Sequence, residues 1–154
     1  LEILIIKWIH VLSSTLLFGT GIGSAFYLLA ATLHRDARVT AAVARFVVWA
    51  DWMFTATTAI IQPVSGFWLA WRYGIGMDAT WIRVSVILYV VAIACWLPVV
   101  RLQIRLRDLA QAAAAENRPL DDAYWRCFRI WFALGVPAFT AFLAIFYLMV
   151  AKTP

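Results

Sequence analysis

The chain has 154 residues, of which 65% are hydrophobic and 14% charged, with a mean hydropathy of +0.86 and a formal net charge of +5. A soluble domain of this size cannot keep so much apolar surface out of water, and it normally carries about twice that charged fraction. A water-soluble globular fold is therefore excluded, and the positive charge is assigned to membrane topology and anionic lipid headgroups rather than to nucleic acid.

Apolar stretches of roughly 20 residues mark membrane crossings. Four occur, at 3–31, 52–70, 81–100 and 128–150, each flanked by Arg, Lys, Asp, Trp or Tyr. The expected fold class is an all-α membrane protein, a four-transmembrane antiparallel helix bundle forming a single domain over 1–154. The first stretch is too long for a secretory signal, carries Glu2 and Lys7 in place of a clean positive region, and lacks a cleavage site. It is expected to be retained.

Taken in chain order, the first helix should run from Ile3 to His34, about 45 Å of helical rise. Its middle is rich in small residues, and Gly19 with Gly23 makes a small-xxx-small pair. Close packing inside the bundle is expected there in preference to dimerisation. Residues 37–50 form a second helical stretch, with Arg38 and Arg45 on one face and Val39, Ala42, Val43 and Phe46 on another. No Pro or Gly separates this stretch from Asp51, so it should continue into the second span. Asp51 is then expected near the interface, hydrated or paired with an arginine. Within the second span, Pro63 should bend the helix and free a carbonyl near Ala59. Gln62 should face the bundle, because an unpaired amide is costly in hydrocarbon.

Gly74, Gly76 and Asp78 mark a short loop. The third span begins at Trp81 and Arg83 and should extend past Arg101, Arg105 and Arg107 into the alanines at 112–115, as a basic amphipathic helix near lipid phosphate. Asn117, Pro119, Asp121 and Asp122 supply a turn and a helix start. Gly135 and Pro137 predict a bend in the fourth span. Trp96 is expected to serve packing. Cys95 and Cys127 form no C-x-x-C or haem-attaching motif and are expected to stay unbridged.

The charges orient this bundle. Arg35, Arg38, Arg45, Arg101, Arg105, Arg107, Arg118, Arg126 and Arg129 fall on one side, against Lys7, Arg72, Arg83 and Lys152 on the other. The arginine-rich side should be cytoplasmic, placing both termini on the periplasmic side of a bacterial inner membrane.

Polar residues within the spans carry the functional expectation. His10 lies in an apolar helix, and a neutral imidazole can ligate haem iron through one nitrogen while the other donates a hydrogen bond. The alternative is a structural bond from His10 to Gln62, a threonine or a carbonyl freed by Pro63. Lys7 lies one turn from His10, with Arg83 and Tyr147 at similar depth in other spans. Lys7, His10, Gln62, Arg83 and Tyr147 thus form a candidate outer-leaflet pocket for haem propionates, a quinone head or a lipid phosphate. His10 is its single candidate metal ligand. His10 and His34 are about 36 Å apart along one helix and cannot share an ion.

Particular runs carry a resemblance. These are Lys7-Trp8-Ile9-His10-Val11-Leu12, Leu17-Phe18-Gly19-Thr20-Gly21, Gln62-Pro63-Val64-Ser65-Gly66, Trp96 through Ile104, and Val136-Pro137 through Ala151-Lys152. Across nearly its whole length the chain resembles the family of predicted bacterial integral membrane proteins DUF2269. More distantly it is similar to HemJ-type protoporphyrinogen oxidases and CopD-type membrane proteins. The HemJ likeness implies a membrane histidine at His10 and places Arg83 where a lysine is typical. A further third-span histidine of that family has no counterpart in this chain.

The expected function is a haem b-binding or redox role near the outer leaflet. The alternatives are a non-enzymatic accessory or assembly subunit of a larger inner-membrane complex, and a small-molecule or metal-ion transport or tolerance factor. Membrane lipids, a membrane-protein partner or a second copy are the expected partners, and nucleic acid is not.

Overall fold

A computed structural model describes residues 1–151, and Lys152 lies outside the described residues. The described chain is helical throughout, with no strand. Helix α1 covers Glu2–Leu33 and α2 covers Ala37–Ala50. A five-residue π-helical turn, Asp51–Thr55, joins α2 to α3, Ala56–Arg72. Helix α4 spans Thr80–Ala115 and α5 spans Asp122–Ala151. Because α2, the π turn and α3 run on without a break, four helices are long and apolar enough to cross a membrane.

The helix ends explain themselves chemically. Helix α1 stops where Arg35 takes a left-handed conformation, φ 61°, and α4 stops likewise at Asn117, φ 53°. Asp36 caps α2 by accepting bonds from the backbone N–H groups of Arg38 at 2.8 Å and Val39 at 3.1 Å. Those bonds, Val39 first, hold its carboxyl below the usual aspartate range. Asp121 caps α5 by accepting from the Tyr124 N–H at 2.9 Å. The two left-handed turns are tied together by the Arg38 guanidinium, which donates to the Asn117 carbonyl.

The arginine-rich end is the packed end. Leu28, Ala44, Leu106, Ala110 and Tyr124 are almost completely enclosed, and with Val47, Phe128 and Trp131 they form one core shared by α1, α2, α4 and α5. The Thr32 and Tyr124 hydroxyls meet at 2.7 Å inside it. The long amphipathic stretches that flank the spans build this core. Helix α2 and the second half of α4 cover each other with alanine-rich faces and keep their arginines outward.

Towards the opposite end the bundle loosens. Helix α3 leans on α1 and α4 continues against α5, but α1 and α5 barely meet. Their contact is made by Phe18, which stacks on Phe139 at 5.5 Å and sits edge-on to Phe146 at 5.3 Å. In the most apolar window of α5 only 6% is buried. The small residues of α1 do not close this side. A Cβ added at Gly19, Gly21, Gly23 or Gly135 would meet nothing within 4 Å. The close intramolecular approach expected at Gly19 and Gly23 is therefore absent, since no helix faces them.

Candidate functional site

Two polar clusters lie inside the bundle, both on the bent α2–α3 helix and about 16 Å apart by helical rise. The first involves two of the expected site residues. His10 and Gln62 come together, because Gln62 Nε2 donates to the His10 carbonyl oxygen at 2.6 Å and is 2.6 Å from Ser13 Oγ. The His10 ring turns the other way, with Nδ1 2.7 Å from Ser65 Oγ. The Ser65 hydroxyl donates its one hydrogen to the Ile61 carbonyl at 2.6 Å, so its oxygen accepts from an Nδ1–H. That tautomer leaves the lone pair of Nε2 unclaimed. Gly66 lets the imidazole lie against the α3 backbone, since a Cβ there would come within 3.1 Å of His10 Cε1.

The other expected members do not join. Lys7, Arg83 and Tyr147 are exposed on the bundle surface, and no hydrogen bond or ion pair connects them to His10. Among the described residues no cluster of three or more His, Cys, Asp or Glu side chains is poised to hold a metal ion.

The second cluster was not expected as a site. Asp51 is only 4% exposed and has no arginine partner, in place of the hydrated or ion-paired position its sequence context suggests. Two features carry it inward. It continues the buried row Thr40, Ala44, Val48, Asp51, Thr55, Thr58, and the wide π turn begins on it, with the Ala56 N–H reaching back to its carbonyl. Such turns interrupt α-helices at functional positions with some frequency. Thr55 and the Trp96 indole flank the Asp51 carboxyl. Yet Asp51 Oδ2, Thr55 Oγ1, Trp96 Nε1, Gln103 Oε1 and Trp131 Nε1 are all buried with no hydrogen-bond partner. A buried polar group left unmet costs roughly 1–3 kcal/mol, so five at one place need a physical reason.

All five side chains line one cavity of about 410 Å³. This lies within the roughly 300–1,000 Å³ typical of small-molecule sites. Its polar floor is level with the arginine belt: Gln103 falls between Arg101 and Arg105, and Trp131 follows Arg129 by half a turn. From that floor the cavity rises about 15 Å along α4, past apolar walls, to Ile93, and is closed above by Phe18, Phe139 and Phe142. Its mouth is the gap between α1 and α5, where Phe26, Phe132 and Val136 are half or more exposed. The open faces of Gly21 and Gly135 contribute the room. At the Pro63 bend, the Ala59 carbonyl accepts a hydrogen bond from the Tyr89 hydroxyl, so that expected vacancy is filled from within the protein.

A four-helix membrane bundle with a lateral, apolar, polar-floored cavity defines the class of the molecule. Within that class, the family described as predicted integral membrane protein (DUF2269) matches residues 4–153, and the chain belongs to it. No curated protein and no solved structure matches the chain.

Proposed function

We propose that the protein binds an amphiphilic small molecule taken laterally from the bilayer, with the tail in the α1–α5 cavity and the head at the arginine-rich end. The observation that carries this reading is the coincidence of five unmet buried polar groups with the floor of an otherwise apolar cavity whose mouth lies between two lipid-facing helices. Apolar walls provide affinity for a tail, and a few convergent polar groups provide orientation. The polarity gradient matches that of a lipid leaflet, so a bound amphiphile keeps the direction it has in the membrane. Read with the arginine belt facing the cytoplasm of a bacterial inner membrane, the site belongs to the inner leaflet.

The test is to fill the cavity. Gly21→Leu with Gly135→Leu places two side chains where nothing now stands within 4 Å, so the bundle itself should tolerate them. Native mass spectrometry of protein purified from its own membrane should show a bound apolar adduct in the wild type and its loss in the double variant. Equal adducts in both, or none in either, would sink the reading.

A second reading rests on His10, whose Nε2 is unclaimed while Ser65 holds the other ring nitrogen. This is the arrangement a haem-ligating histidine needs. Haem b bound there would supply one-electron chemistry, and His10 would hold its iron. His10 lines neither the α1–α5 cavity nor the shallow one at the arginine-rich turns, so a porphyrin would have to lie on the lipid-facing surface or against a partner. Protein expressed with haem available should then show a Soret band that His10→Ala removes, and a colourless wild type would dispose of it.

A further inference from the structure

The chemistry of the unmet groups narrows what the cavity accepts, and this step rests on the cavity being a binding site. Trp96 Nε1 and Trp131 Nε1 are donors only and need an acceptor from the ligand. Asp51 Oδ2 and Gln103 Oε1 present acceptor oxygens and call for a donor, while the Thr55 hydroxyl can play either part. The Gln103 amide can turn to offer its nitrogen, but the two indoles and the carboxyl cannot exchange roles in this way.

Each common head group can be set against that pattern. An alkylammonium donates but cannot accept, and leaves both indole N–H groups unmet. A carboxylate or phosphate accepts but does not donate, and places its charge beside the Asp51 carboxyl. None of the arginines lines the cavity to offset that charge. An ether or ester accepts only. A hydroxyl both donates and accepts, and it is neutral, so it avoids an uncompensated charge in the bilayer.

We propose that the cavity selects a neutral, hydroxyl-bearing amphiphile, of the class of long-chain or prenyl alcohols, phenols and quinols. Its hydroxyl hydrogen goes to Asp51, and its oxygen accepts from the indoles of Trp96 and Trp131. Asp51 is the selecting residue, because it is the acceptor that only a donor-bearing head can satisfy. The apolar walls then serve tails of many kinds, so selectivity resides in the head.

The experiment uses the full chain in lipid nanodiscs and four probes with the same decyl tail: decanol, decanoic acid, decylamine and decyl methyl ether. Binding is followed through the indole ¹H–¹⁵N signals, with those of Trp96 and Trp131 assigned from Trp96→Phe and Trp131→Phe. Decanol should move both signals saturably and bind about tenfold more tightly than the ether, the difference expected for roughly one hydrogen bond. Asp51→Leu should still bind decanol but lose that preference. Equal binding of all four probes overturns the head-group assignment while leaving the cavity reading intact. Preference for decylamine overturns it too, by making Asp51 a counter-ion. If no probe moves either indole, both readings fall together.

Discussion

The two polar clusters of this bundle are built from similar residues and have opposite hydrogen-bonding states. Around His10, each principal polar group meets another: Gln62 serves the His10 carbonyl and Ser13, and Ser65 receives the His10 ring. Around Asp51, five polar atoms converge and none is met. A membrane interior gives polar groups no solvent to fall back on, so the first arrangement fastens α1 to α3 and the second waits for something else. The packing differs in the same sense. The arginine-rich core below Asp51 is closed, while the space above it is left open by glycines that touch no neighbour and by an α1–α5 pair held through Phe18. Polarity in a span therefore does not by itself mark a site. What marks one is polarity that the fold leaves unsatisfied.

Three substitutions put this contrast at risk. The largest effect is expected at the closed end, where Leu106 is fully enclosed. Leu106→Ala should lower unfolding free energy by about 2–5 kcal/mol in a denaturation titration in mixed micelles. A loss under 1 kcal/mol, on the order of a surface change, would mean that this core is no better packed than the cavity. Asp51→Leu comes next and should act with the opposite sign. In ligand-free protein it removes an unmet buried carboxyl and should stabilise by about 1–3 kcal/mol. Destabilisation would reveal that Asp51 has a partner within the chain and that its role is structural. The smallest change is expected at Gln62→Leu, which removes the donor serving His10 and Ser13. A loss of about 1 kcal/mol is the scale of hydrogen bonds between membrane helices, with a slackening of α1 visible as faster amide exchange near Ser13. No change in exchange would show that the first cluster fastens nothing.

Much of the fold was legible in the residues. The four apolar runs specify four crossings, because their length is matched to hydrocarbon thickness and their composition leaves no alternative solvent. Continuity from Ala37 through Asp51 followed from the lack of Pro and Gly, and the freed carbonyl at Ala59 followed from Pro63. That Tyr89 would fill it did not, since the donor comes from another helix. Of the five residues expected to share a pocket, only His10 and Gln62 meet. Similar depth in the membrane says nothing of which way a side chain faces, and Lys7, Arg83 and Tyr147 face outward. For the Asp51 cluster one signal was present. Thr40, Ala44, Val48, Asp51, Thr55 and Thr58 recur at three- and four-residue spacing, a row that belongs to a buried face.

The sequence alone therefore determined the solvent, the helices, their order and the concentration of arginines at one end, because each depends on local composition and on chain connectivity. Tertiary structure decided which polar groups are paired. Pairing depends on the azimuth of each helix about its axis, on the π turn at Asp51 and on the gap left between α1 and α5. None of these is set by residues near in sequence, and together they turn an aspartate expected at the interface into the floor of a cavity.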